Sequence, residues 1–159
     1  MKYYTTYQTS IGSITIVEQQ NNIIGILFGQ VKPQNAMMQE TELLKKTYSQ
    51  IREYLEGKRK EFTIPIAMQG TCFQRQVWKA LQTISYGETK TYQQIAEQIG
   101  KPKACRAVGM ANHVNPISII VPCHRVIGKN GKLVGYGGGL DIKKQLLDLE
   151  ANRKDKSVE

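Results

Sequence analysis

Cys123 stands in the run "IIVPCHRVIG", with proline before it and histidine and arginine directly after. A thiol attacks as its thiolate, which needs a cationic neighbour or a helix N-terminus, and a base to take the proton. His124 and Arg125 are the candidates to supply that field and that base. In an extended chain neighbouring side chains point to opposite faces, so a water between Cys123 and His124 is the easier geometry. The imidazole would then need an acceptor to orient it. Glu150, at the end of the helical run "LDIKKQLLDLE", is one candidate. The helix dipole disfavours an anion there unless a cation compensates, and a solvated terminal carboxylate is the plainer reading. Arg125 reads equally well as a structural residue gripping a carboxylate with both arms.

The other thiols read differently. Cys72 and Cys105 have no base nearby in sequence and are expected to be packing residues. With three cysteines, widely spaced and without a C-x-x-C pair, and only two histidines, neither a disulfide framework nor a zinc site is suggested. No metal and no cofactor are expected.

The elements that must position these groups can be read from periodicity. "YYTTYQTSIGSITIVEQQNNIIGILFG" alternates β-branched and aromatic runs with turn signals at Gly12-Ser13 and Asn21-Asn22, which predicts an antiparallel meander. After Pro33 an amphipathic helix is expected, with Met37, Leu44, Tyr48, Ile51 and Leu55 on its apolar face and Gly57 at its end. "KRKEFTIPI" offers a short strand. These elements make a first domain over residues 1–66. The following region, 67–151, is helical, and residues 152–159 form a charged tail.

In that second region "TCFQRQVWKALQTI" starts from a threonine cap and carries Phe73, Val77, Trp78 and Leu81 on one stripe. Thr89 or Thr91 caps the next helix, which turns Ile95, Ala96 and Ile99 inward and stops at Gly100. "KPKACRAVGMANHV" follows, with Pro102 suited to its first turn and a face of small residues, Ala104, Ala107, Gly109 and Ala111. Two short helices across a tight turn describe a helix-turn-helix. The run "ISIIV" predicts a buried strand that Pro122 brings to a stop. His113, near the end of the last of these helices, reads as a surface residue, and Trp78 as a core anchor.

Charge points the same way. The 159 residues carry a formal net charge of +9, and the excess is uneven: residues 1–65 hold eight basic and six acidic side chains, residues 66–159 fourteen and seven. From Thr89 to Arg125 there are five basic residues, Lys90, Lys101, Lys103, Arg106 and Arg125, against the single acid Glu97. A basic helix of small side chains fits close approach to nucleic acid better than packing in a core. At 40% hydrophobic the chain can bury a core, yet it has no apolar run long enough for a membrane span, and "MKYYTTYQTS" lacks the apolar stretch of a secretory signal. An intracellular, cytoplasmic protein with no membrane partner is expected.

"NPISIIVPCHRVIGKNGKLVGYGGGLDIKKQLLDLE" resembles the signature region of the O6-alkylguanine-DNA alkyltransferases, and "FQRQVWKALQTISYGETKTYQQIAEQIGKPKACRAVG" is similar to that family's DNA-binding segment. The resemblance implies an α/β (α+β) protein: a small ribonuclease-H-like antiparallel sheet with a helix, then a helical, winged helix-turn-helix-like domain carrying the active-site cysteine. Cys123 would accept the alkyl group, His124 would deprotonate it through a water, Glu150 would orient the imidazole and Asn115 would order the network. Tyr92 would donate a proton toward the leaving guanine. Arg106 would enter the base stack as the target nucleotide is flipped out, and Lys103, Ala104, Cys105, Ala107 and Gly109 would lie against the DNA. Tyr136, Gly137, Gly138 and Val126 would wall the base pocket. Some members carry serine after that tyrosine where this chain has Gly137, which removes a hydroxyl contact and leaves a roomier pocket. The implied partner is double-stranded DNA containing O6-alkylguanine or O4-alkylthymine, bound by a monomer.

Two other function classes share parts of this pattern. A DNA-lesion sensor without transfer activity would have the helix-turn-helix, but relatives of that kind replace the cysteine. A cysteine hydrolase would use Cys123 and His124 and leave no permanent adduct. Neither accounts for the basic helices and the thiol together.

Overall fold

The computed structural model describes residues 1–133 and 139–153. They divide into two units, one formed by Met1–Gln69 with Pro116–Ile120 and the other by Gly70–Asn115 with the chain from Val121 onward. Tyr136, Gly137 and Gly138, expected in the base pocket, lie outside the described residues.

In the first unit, β1 (Lys2–Thr9), β2 (Gly12–Gln19) and β3 (Asn22–Phe28) form the expected antiparallel meander. The turn between β2 and β3 is Gln20-Asn21, one residue earlier than the Asn21-Asn22 signal suggested. Gln19 pairs with Asn22, and both turn residues take positive φ, 52° and 63°. That is the backbone twist a two-residue hairpin prefers, and asparagine tolerates it well. A fourth strand, β4 (Ala36–Met38), adds in parallel to β1, giving the order β3-β2-β1-β4. The helix expected from Asn35 therefore begins later: α1 (Glu42–Leu55) is capped by the Thr41 hydroxyl accepting from Leu44 N–H. Met37 belongs to the edge strand, not to the apolar face of α1, because Thr41 supplies a cap only downstream of it. Leu44, Ile51 and Tyr54 bury against the sheet, whose inner strand is buried from Ile14 to Glu18.

"KRKEFTIPI" forms no strand. It makes one parallel bridge, Ile23 to Ile66, with Ile23 N–H donating to the Pro65 carbonyl at 2.9 Å and Ala67 N–H to the Ile23 carbonyl at 3.0 Å. Pro65 has no N–H to extend the ladder further. Pro116–Ile120 contributes a second bridge, Ile26 to Ile117.

The second unit is helical. α2 (Cys72–Leu81) and α3 (Tyr92–Gln98) each start in a reciprocal capping box, Thr71 with Gln74 and Thr91 with Gln94. Thr91, not Thr89, is the cap of α3. α4 (Cys105–His113) follows after a turn that begins at Gly100, φ 76°. Pro102 sits in that turn, three residues ahead of the helix, and not in its first turn as expected. A two-residue parallel ladder joins β5 (Lys90–Thr91) to β6 (Val126–Ile127), and α5 (Leu140–Arg153) closes the unit. Trp78 is the tie between helices: its ring is buried, and its indole N–H donates to the Ala111 carbonyl at 2.8 Å. That bond takes Ala111 into the core, so the small-residue face is split, with Ala107 exposed and Ala111 buried. Ile95 and Ala96 are buried as expected; Ile99, the helix C-cap, is half-buried. Among the described residues no helix is long and apolar enough to cross a membrane.

Trp78 also fixes the residue before α2. A Cβ on Gly70 would lie 2.5 Å from Trp78 Cη2 and 2.7 Å from the Gln74 Oε1 of the capping box. Gly70→Ala is expected to destabilise the protein by about 1–3 kcal/mol, since either the buried indole or the cap must shift. Urea unfolding of the two proteins, followed by tryptophan fluorescence, checks this.

Candidate active site

The chain leaves the second unit at Asn115 and re-enters it at Val121, and the Asn115 side chain closes that gap. Its Nδ2 donates to the Val121 carbonyl at 2.9 Å. The same carbonyl accepts the Cys123 N–H at 2.8 Å, a bond that spans Pro122 alone. Pro122, at φ −81° and ψ 65°, is the centre of an inverse γ-turn. The ring pre-sets its φ, and its missing N–H is not needed there. A second bond of the same span, Ile120 N–H to the Ser118 carbonyl at 2.9 Å, puts Ile119 at φ 75°. A β-branched residue in that region is strained by about 1–3 kcal/mol. The expected strand "ISIIV" is thus buried but not extended: tight turns replace it, and the hydrogen bonds that fix them are local.

Cys123 opens a 3-10 turn, Cys123–Arg125, and is 3% exposed. Asn112 of α4 reaches its carbonyl, Nδ2 to O, at 3.3 Å. His124 is fully buried, and its Nε2 lies 2.7 Å from Glu150 Oε2 on α5. Arg125 grips the same carboxylate with two arms, Nε to Oε1 and Nη2 to Oε2, each 2.9 Å, while Nη1 donates to the Ile84 carbonyl at 2.7 Å. Gly87 N–H donates to Glu150 Oε1 at 3.1 Å. Glu150 is therefore no solvated terminal carboxylate. Arg125 is the compensating cation, and it is turned to the carboxylate.

Electrostatics set the protonation of this cluster. Burial alone would raise the Glu150 pKa, but the hydrogen bonds and charges of His124 and Arg125 outweigh it and bring it from 4.5 to about 2. For His124 burial dominates and lowers the imidazole pKa. Glu150 pulls the other way, while the charges of Arg125 and Lys143 add to the lowering. The carboxylate is ionised and can only accept, so His124 Nε2 carries the hydrogen and Nδ1 keeps the lone pair.

Lys143 is the residue that sequence reasoning missed. It is fully buried on α5, and its Nζ donates to the Val126 carbonyl at 2.5 Å. Burial lowers its pKa from 10.5 to about 8, and the neighbouring Cys123 sulfur, when ionised, raises it. The signal was available: Lys143, Leu146 and Glu150 follow the i, i+3, i+7 spacing of one helix face, and they are the buried residues of α5. Tyr86 was missed as well; its ring lies 5.7 Å beneath the Arg125 guanidinium.

Tyr92 is the first residue of α3, packed so that a Cβ on Gly109 would meet its ring at 3.8 Å. Burial raises its phenol pKa, the Cys123 thiolate adds to this, and a hydrogen bond with Asn112 opposes it. The phenol is thus protonated at neutral pH. Val126 is fully buried at the start of β6. Cys123, His124, Glu150, Asn115, Val126 and Tyr92 all belong to the second unit.

α4 and the two residues before it carry the side chains expected to face nucleic acid. Lys103, Arg106 and Ala107 are exposed; Ala104, the helix N-cap, and Cys105 and Gly109 are half-buried. His113 is exposed as expected. Cys72 is exposed at the first position of α2 and is not a packing residue: the stripe that buries Val77, Trp78 and Leu81 leaves it on the opposite side. Among the described residues no three His, Cys, Asp or Glu side chains are grouped to hold a metal ion.

Comparison with known proteins places this geometry. Residues 2–68 match the family model of the 6-O-methylguanine DNA methyltransferase ribonuclease-like domain, and residues 72–152 that of the DNA binding domain of the same proteins. A methylated-DNA–protein-cysteine methyltransferase of Methanosarcina acetivorans is 46% identical over 94% of this chain and 99% of its own. The constitutive enzyme of that name from Bacillus subtilis is 44% identical over 94% and 96%. The crystal structure of Mycobacterium tuberculosis OGT in complex with DNA superposes with a TM-score of 0.89 at 44% identity, over 95% of this chain and 94% of that one.

The cluster predicts two opposite slopes of stability with pH. Glu150 has a depressed folded pKa, so its contribution is complete above about 4.5 and is lost as pH falls toward 2. Lys143 binds its proton less tightly when folded, so stability rises as pH climbs from about 8 to 10.5. Urea midpoints across both ranges check this: Glu150→Gln is expected to flatten the acid slope and Lys143→Met the alkaline one.

Proposed function

The chain belongs to the 6-O-methylguanine DNA methyltransferase family, and we propose that it moves alkyl groups from O6 of guanine, and from O4 of thymine, in duplex DNA to its own Cys123. The observation that carries this reading is the buried Glu150–His124 hydrogen bond set immediately beside a thiol in a 3-10 turn. Ionised Glu150 fixes the imidazole tautomer, so Nδ1 is the basic nitrogen that takes the Cys123 proton through a water. Lys143 adds a buried positive charge on the side of the thiolate. Asn115 and Asn112 hold the backbone on either side of the sulfur.

Sγ attacks the alkyl carbon, the carbon–oxygen bond breaks, and its electron pair stays on the base. Tyr92, held protonated by its surroundings, supplies the proton that makes guanine a neutral leaving group. The product is a thioether. Unlike an acyl thioester it has no carbonyl for water to attack, so each protein molecule acts once.

The lesion oxygen lies inside the duplex, and the nucleotide must leave the stack at a cost of roughly a few kcal/mol. Arg106, exposed near the start of α4, is the side chain to fill the vacancy; Lys103, Ala104, Cys105, Ala107 and Gly109 surround it. The flipped base lies against Val126 and, from the sequence, Tyr136, Gly137 and Gly138. All the reacting groups among the described residues come from one unit of one chain, so a monomer suffices, and its substrate places it in the compartment that holds the DNA.

Intact-protein mass spectrometry with peptide mapping, after mixing with a duplex containing one O6-methylguanine, is the test. A stoichiometric gain of one CH2 unit on Cys123, not reversed by fresh buffer, is expected. No gain despite tight duplex binding would make the protein a lesion sensor, and no gain without binding would favour a hydrolase. Cys123→Ala is expected to abolish transfer and keep duplex binding in a gel-shift assay. Arg106→Ala is expected to slow transfer from duplex more than from free O6-benzylguanine.

A further inference from the structure

Most large apolar side chains of the second unit are buried, and Met110 is an exception at 63% exposed. It sits on α4 one turn after Arg106 and one turn before His113 and Val114, all exposed, so it occupies the middle of the outward face. Its flanks are Ala107 and Gly109, which leave it standing proud, and Val114, 47% exposed, extends the apolar strip. From Lys101 to Val114 there is no acidic residue, while Lys101, Lys103 and Arg106 are exposed. Such a face is complementary to a polyanion but has few groups for hydrogen-bonding base edges: on α4 itself the exposed side-chain donors are Arg106 and His113. A methionine held outward among cations is suited to DNA, where apolar side chains enter a groove and part a base step.

We propose that Met110 is a specificity-determining residue of the transfer reaction: an apolar wedge that packs into the groove beside the target step and lowers the cost of extruding the nucleotide. This rests on the repair reading above. Arg106 fills the space the base leaves, whereas Met110 acts earlier, loosening the step so that the base can go. Its contact is with sugar and base edges and not with phosphate, so it adds nothing to counterion release.

The test compares Met110→Ala and Met110→Leu with the unmodified protein on a duplex carrying O6-methylguanine beside 2-aminopurine, and on free O6-benzylguanine. Met110→Ala is expected to transfer from duplex about tenfold more slowly, as lost burial of the side chain implies, with a weaker rise in 2-aminopurine fluorescence. Its rate on the free base and the slope of binding against salt should be unchanged, and Met110→Leu should restore most of the duplex rate. Equal duplex rates for Met110→Ala and the unmodified protein would overturn the proposal, as would an equal loss on the free base, which would mark a role in holding the fold. If the unmodified protein itself failed to transfer from duplex, the repair reading would fall first, and that result is separate from any effect of the substitution.

Discussion

Glu150 holds a full negative charge where almost no water reaches it, and the second unit is arranged around making that tolerable. Arg125 meets both oxygens, His124 meets one, and the Gly87 N–H meets the other. A buried carboxylate left without such partners would cost several kcal/mol. Each partner is thereby fixed in turn: Arg125 cannot leave without stranding the charge, and its third arm pins Ile84 at the end of the segment after α2. His124 and Arg125 are adjacent in a 3-10 turn, so the carboxylate sets the orientation of the turn that Cys123 opens. The position of Cys123 thus follows from an ion pair between Arg125, its near neighbour in sequence, and α5.

The same arrangement decides between the two roles the sequence left open for Arg125. Beside a cysteine, an arginine suggests activation of the thiol. Here Arg125 neutralises Glu150, and the positive charge in reach of Cys123 comes from Lys143, twenty residues along. Dividing the work lets the imidazole stay neutral: a histidine facing an unshielded carboxylate would be drawn toward its charged form and lose the lone pair that a base needs.

Much of this was legible in the residues. Threonine caps announce α2 and α3, Thr71 for the first and Thr91, of the two candidates, for the second. The amphipathic stripe of α2 buries Val77, Trp78 and Leu81 and leaves Phe73, near the helix start, half-buried. What failed were the places where a second constraint, near or far in the chain, overruled a residue's own preference. "ISIIV" has the composition of a strand, yet Asn115 and the carbonyls of Ser118 and Val121 capture it in tight turns. Met37 fits a helical spacing but pairs with Tyr3 of β1. Pro102 looked like a helix start, and the backbone still needed two more residues to come round from Gly100. For Glu150 and Lys143, spacing alone marked a common face but gave no reason to put charge on the inside; that reason is Arg125 for one and the Val126 carbonyl for the other.

Residues 116–120 belong to the first unit although they lie between two stretches of the second. Their bridge joins Ile117 to Ile26, about ninety residues earlier in the chain, and closing so long a loop is entropically slow. The cysteine turn begins at the residue after this segment. During folding, the meander can form from its own hairpins, but the bridge to Ile26 has to wait for residue 117. The first unit is therefore completed late: a chain that stops short of residue 117 has its meander without that bridge.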